Sequence, residues 1–132
     1  MTDNSKRDIF FQQLDNGQLN EVIQHIADNP DDLIDLIDIL GYEPLGIHIR
    51  IGVSAVLEEF AGKAFMANII SPLNQLTHHT DAHLRSDACY FLSLTHHTDA
   101  KDIIQFMLND PSNQVQVAAQ DALDYLADIM TK

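Results

Sequence analysis

A nine-residue pattern occurs three times in this chain and constrains its fold more than any other feature. It reads Ile49-Arg50-Ile51-Gly52-Val53-Ser54-Ala55-Val56-Leu57, then Leu84-Arg85-Ser86-Asp87-Ala88-Cys89-Tyr90-Phe91-Leu92, then Val115-Gln116-Val117-Ala118-Ala119-Gln120-Asp121-Ala122-Leu123. Position one is aliphatic each time, position five is small or Val, and position nine is always Leu. The copies lie 35 and 31 residues apart. That is the spacing of two-helix units stacked in an array. A second repeat, LTHHTDA, occupies 76–82 and 94–100, an offset of 18 residues that matches one helix plus one turn.

Helical periodicity fills the rest of the chain. Asn4-Ser5 caps a short helix that carries Ile9, Phe10 and Leu14 and ends near Gly17. A second helix starts at about Leu19, with Val22, Ile23 and Ile26 on one face. Asn29 caps and Pro30 opens the next helix. Within 31–40 its Leu33, Ile34, Ile37 and Leu40 face one way and Asp31, Asp35 and Asp38 the other, until Gly41 stops it. Residues 47–53 alternate Ile47, Ile49, Ile51, Val53 with a period of two, which locally favours a strand. The repeat favours a helix instead, because Ile49, Val53, Val56, Leu57 and Phe60 then share one face and a lone strand would lack backbone partners. Residues 64–77 read as a helix kinked at Pro72, and further helices follow near 82–95, 100–109 and 113–129.

The nine-residue pattern resembles the HEAT-like repeats, above all the short bacterial, PBS-lyase type written D-x-x-V-R-x-x-A-x-x-x-L. The best match runs Asp81-Ala82-His83-Leu84-Arg85-Ser86-Asp87-Ala88 and closes with Leu92. The third copy has Gln116 in place of Arg and Ser112 in place of Asp, and the first has Gly46 in place of Asp. The resemblance implies an all-α fold, a right-handed α-solenoid of about three HEAT-like helix pairs with an N-terminal helical cap. The 132 residues then form a single repeat domain, with cap helices over 1–30 and repeat units over 31–62, 63–97 and 98–130. Such arrays serve mostly as binding surfaces and imply no activity by themselves.

Twenty acids against seven bases give a net charge of −13. That argues strongly against a nucleic acid or an anionic membrane surface as partner, since both need a basic patch. Between Asp8 and Ile49 there are nine acids and no Lys or Arg, and Asp28, Asp31, Asp32, Asp35 and Asp38 line one edge. Such an edge either steers a basic partner or only keeps a helix face solvated. No signal-like segment and no apolar run of transmembrane length is visible, so the expectation is a cytoplasmic protein.

Projected at 100° per residue, positions one, five, eight, nine and twelve of each repeat point to the core, and positions three, seven and ten point away. The outward set is Ile51, Ala55 and Glu58; Ser86, Tyr90 and Ser93; Val117, Asp121 and Asp124. In a solenoid the second helices line the concave face, so these nine residues are the candidate partner-binding ridge, with Tyr90 as anchor. Leu92 and Leu123 are expected to be buried and Tyr90 exposed.

Seven histidines invite a metal, but the two HHTD segments are expected at opposite ends of a helix of about 14 residues, roughly 20 Å apart. Asp81 and Asp99 read as helix N-caps, and no metal or cofactor is expected. Cys89 reads as a half-buried structural thiol, since a nucleophile needs a base and a low pKa. No phosphate loop and no nucleophile or zinc motif is present. The expected function is a non-catalytic protein–protein interaction module, an adaptor or regulatory scaffold, acting as a monomer or weak homodimer on an unidentified protein, basic if the acidic edge steers it. The alternatives are an acidic inhibitor or immunity-type protein that blocks a basic partner, or an accessory subunit of a lyase-like enzyme.

Overall fold

A computed structural model describes residues 5–41 and 46–131. Asn4 of the expected first cap and Glu43 of the acidic tract lie outside the described residues. Among the described residues there is no strand: eight α-helices and four short 3₁₀ segments make up the regular structure. The chain divides into two compact units, Met1–Phe60 and Ala61–Lys132.

The first unit holds α1 (Ser5–Asp15), α2 (Leu19–Asp28), α3 (Leu33–Asp38) and α4 (Ile47–Glu59). Helix α1 packs on the other three. Phe10 and Leu14 of α1, Val22 and Ile26 of α2 and Ile49, Val53, Val56 and Leu57 of α4 are buried, as is Phe60 just beyond. The segment 47–53 is therefore helix, as the repeat requires, and Ile47 and Ile51, which the period-two reading would bury, are 71% and 62% exposed. Gly52 lets α1 and α4 approach closely, since a Cβ there would stand 3.0 Å from the Leu14 Cδ2.

Two expectations in this unit are corrected. Ile34 is 42% exposed and Leu36 is buried in its place. At 100° per residue Leu33, Leu36, Ile37 and Leu40 share one arc of the helix, and Ile34 lies beyond its edge. Asn29 precedes Pro30 as expected but does not cap with its side chain, which donates back to the carbonyl of His25 at 3.1 Å.

The second unit holds a 3₁₀ segment at Ala64–Ile69, then α5 (Ile70–Leu76), α6 (Ala82–Ser93), α7 (Thr98–Phe106) and α8 (Asn113–Met130). Helix α6 is central and touches α5, α7 and α8. Leu84, Ala88, Phe91, Leu92 and Thr95 are all buried, the full set of core positions read from the repeat. Because three helices surround α6, its buried arc is wider than one stripe, and Cys89 is fully buried rather than half-buried. On α8 Val115, Ala119, Ala122 and Leu126 are buried, but Leu123 is only half-buried. The arc of α8 covered by α6 and α7 ends short of it. Pro72 makes no kink inside a long helix, because α5 begins at Ile70 and the proline sits in its first turn, where its missing N–H has no partner to lose.

Two turns of this unit use one hydrogen-bond scheme at positions 31 residues apart in the sequence. Arg85 Nη1 donates to the carbonyl of His79 at 2.9 Å, and Gln116 Nε2 donates to the carbonyl of Asp110 at 2.7 Å. The N–H of Asp81 donates to His79 Nδ1 at 3.0 Å, and the N–H of Ser112 donates to Asp110 Oδ2 at 2.9 Å. Gln116 thus does what Arg85 does at the matching position, and Asp110 does what His79 does; Ser112, in place of Asp81, makes no side-chain cap. Asp110 also accepts from Arg85, at 2.9 Å from Nε and 3.1 Å from Nη2, a two-pronged pair that ties the two turns together.

Candidate functional site

Of the nine outward residues, Ile51, Ala55 and Glu58 belong to the first unit and the other six to the second. Ile51, Glu58, Val117, Asp121 and Asp124 are exposed, and Tyr90 is 40% exposed. Ala55 and Ser86 are half-buried. Ser93 is not on the surface: it is 1% exposed, and its hydroxyl donates to the carbonyl of Tyr90 at 2.5 Å, because the neighbours of α6 reach round to that position.

The structure brings three of these residues into one hollow. Tyr90 and Ser93 of α6 and Ala118, Asp121, Ala122 and Tyr125 of α8 line a groove of about 270 Å³. Ala118 and Ala122 are the small side chains of that lining, and Tyr90, Asp121 and Tyr125 the larger ones. Tyr90 stands on one wall, beside Phe91 at a ring separation of 5.7 Å. Tyr125 and Asp121 stand on the other, one helical turn apart.

Tyr125 is held in place from outside the groove. Its hydroxyl lies 2.7 Å from His96 Nε2, and the two rings are 5.5 Å apart. Partial burial pushes its phenol up from the ordinary tyrosine value. His96 itself adopts a left-handed backbone with φ of 53°, which is uncommon for a non-glycine residue. Its ring fits because residue 62 is glycine: a Cβ there would come within 2.6 Å of His96 Nδ1. Gly62 has φ of +80° and donates its N–H to the carbonyl of Leu94 at 2.9 Å.

Sequence reasoning missed Tyr125, Ala118, Ala122 and His96. The available signal for Tyr125 was its place four residues after Asp121, on the same helix face. His96 had none, since only the tertiary fold brings a turn before α7 to the side of α8.

A larger cavity, about 410 Å³, lies elsewhere in this unit among Asn74, Thr77, His78, Phe106 and Asp110. Its polar groups already serve the chain. Thr77 Oγ1 and His78 Nδ1 are both bound to the carbonyl of Asn74, and Asp110 is bound to Arg85.

The histidines have local roles. Asp81 caps α6 through the N–H of His83, but α7 is capped by His97, whose Nδ1 accepts from the N–H of Asp99; Asp99 is in the first turn and is not the cap. His83 Nδ1 lies 2.8 Å from Gln114 Nε2. Among the described residues, no three His, Cys, Asp or Glu side chains stand together as a metal site. In the acidic edge, Asp32 is turned to its own unit, 2.9 Å from Lys6 Nζ and 2.7 Å from His25 Nε2. The hydrogen bond from His25, then that from Lys6, holds its carboxyl below the usual range. Burial, with Asp32 nearby, pushes Asp35 up. The Cys89 thiol is pushed up to about 12 by burial and by Asp110.

No family model matches the chain, and no curated protein matches its sequence. No described helix is long and apolar enough to cross a membrane.

Proposed function

We propose that the chain is a non-catalytic protein–protein interaction module, an adaptor or regulatory scaffold, whose contact surface centres on the α6–α8 groove. The carrying observation is the groove itself, lined by two part-exposed tyrosines, an acid and two alanines. Tyrosines in such hollows are the usual anchors of protein interfaces. A thiol pushed up to about 12 and buried is no nucleophile at neutral pH. We also read the helix pairs as HEAT-like repeats of a right-handed solenoid in a cytoplasmic protein. The matched turns at His79 and Asp110, Asp81 and Ser112, Arg85 and Gln116 support that reading.

The test begins with a tagged full-length chain and the partner it captures from its source. Tyr90→Ala and Tyr125→Ala are each expected to weaken binding by about 1–2 kcal/mol, Tyr90→Ala with little change in thermal midpoint and Tyr125→Ala with a lower one, since it also removes the His96 hydrogen bond. Asp31→Asn with Asp38→Asn, and His78→Gln, are expected to leave it intact. Loss of binding in the Asp pair, with the tyrosine variants unaffected, would overturn the assignment. The net charge of −13 favours a second reading, an acidic inhibitor of a basic protein. It predicts that association slows when Asp31 and Asp38 are neutralised, whereas the groove reading predicts no change in that variant.

A further inference from the structure

We infer that the α6–α8 groove takes an arginine side chain from a basic segment of the partner. The inference rests on the reading of this groove as a contact surface and names what enters it. Three features of the groove select that chemistry. First, Tyr90 and Tyr125 offer aromatic surface on opposite walls, and the ring of Tyr125 is already fixed by its hydrogen bond to His96. A cation against an aromatic face is attracted by the ring quadrupole. Second, Asp121 is exposed and makes no hydrogen bond or ion pair with any other described residue. A neutral, apolar side chain entering the hollow would desolvate that carboxylate without pairing it, which is unfavourable. Third, the two helices supply no cation of their own. Helix α8 has Asp121, Asp124 and Asp128 and no Lys or Arg, and Arg85 of α6 is bound to Asp110.

Arginine fits better than lysine. Its planar guanidinium stacks on a tyrosine ring while its N–H fork meets a carboxylate. The hollow of about 270 Å³, lined in part by Ala118 and Ala122, has room for the aliphatic stem. The net charge of −13 draws a basic segment toward the chain as a whole.

The experiment uses the full ¹⁵N-labelled protein and four neutral-capped probes: the N-acetyl, N-methylamide derivatives of arginine, lysine, citrulline and phenylalanine. The arginine probe is expected to shift the amides of Tyr90 and of residues 118–125. The citrulline probe, of the same shape without charge, is expected to bind about threefold to tenfold more weakly. Asp121→Asn, an exposed change, is expected to reduce arginine binding to the citrulline level. Equal binding of arginine and citrulline would overturn the inference, as would arginine shifts confined to residues 28–38. If phenylalanine shifts the groove and arginine does not, the arginine assignment fails while the groove remains a contact surface. The interaction reading fails separately, when the tyrosine variants keep their partner.

Discussion

The two helical units fix their ends and turns with ion pairs of opposite character. In the first, Lys6, 55% exposed, and His25 both meet Asp32, which is 13% exposed, and His48 lies 2.7 Å from Asp15 with both side chains more than half exposed. In the second, Arg85 and Asp110 are 14% and 5% exposed and share two hydrogen bonds. Water screens the first kind, and such pairs contribute little. The second kind leaves a buried charge unpaired when either partner is removed. Arg85 also donates to the carbonyls of His79 and Thr80, so one side chain closes the turn before α6 and the turn before α8. The structural difference is that each pair in the first unit keeps a partner well open to water, whereas both partners of the Arg85–Asp110 pair are withdrawn from it.

The largest effect expected from breaking this contrast is at Asp110. Asp110→Ala is expected to cost about 3–5 kcal/mol in urea unfolding, because it strands the Arg85 guanidinium and frees the N–H of Ser112. Lys6→Ala is expected to leave the unfolding midpoint unchanged. Equal effects at the two sites would remove the distinction.

A smaller contrast concerns glycine. Gly17 in the first unit and Gly62 in the second have nearly the same backbone, φ of +77° and +80°. Gly17 has open space beside it, whereas a Cβ on Gly62 would press on the His96 ring. Gly17→Ala is therefore expected to cost about 1 kcal/mol, for the left-handed backbone alone. Gly62→Ala is expected to cost more, about 2–3 kcal/mol, and to loosen the His96–Tyr125 hydrogen bond. That loosening is read from the Tyr125 ring resonances.

Acid titration sharpens the comparison further. The Arg85 hydrogen bonds hold the Asp110 carboxyl below its ordinary value, so its ionised form favours the fold. That contribution is complete above the unfolded carboxylate value of about 4 and disappears as pH falls through the lower folded value. Stability of the wild type is expected to drop below about pH 4, and Asp110→Asn to flatten that part of the curve. Asp32 is lowered in the same direction by His25 and Lys6, but from a cluster partly open to water, so Asp32→Asn is expected to flatten it less.

Much of the helical order was legible in the sequence, because it follows from a 3.6-residue apolar period. The repeat register also located the buried residues of α4 and α6 and resolved the strand-like 47–53 segment correctly. What it missed has common causes. Ile34 faces out because the buried arc of α3 is centred on Leu33, Leu36 and Ile37, with Ile34 beyond its edge. Ser93 and Cys89 are buried because α6 is surrounded, which a single-helix projection cannot show. Asp110 was overlooked because it stands two residues before the position where the repeat places its acid. The division after Phe60 carries no Ser- or Pro-rich linker, only the left-handed turn at Gly62. Of the groove, Tyr90 and Asp121 came from the register, while Tyr125 and His96 depend on tertiary contacts between segments 29 residues apart.

Hydrogen exchange of the full chain, alone and bound to its captured partner, tests the groove most directly. Binding is expected to slow exchange over 86–94 and 117–126, the stretches of α6 and α8 that line it, and to leave 28–38 unchanged. Protection confined to 28–38 or to the turn at 78–81, with the α6 and α8 stretches unaltered, would contradict the assignment.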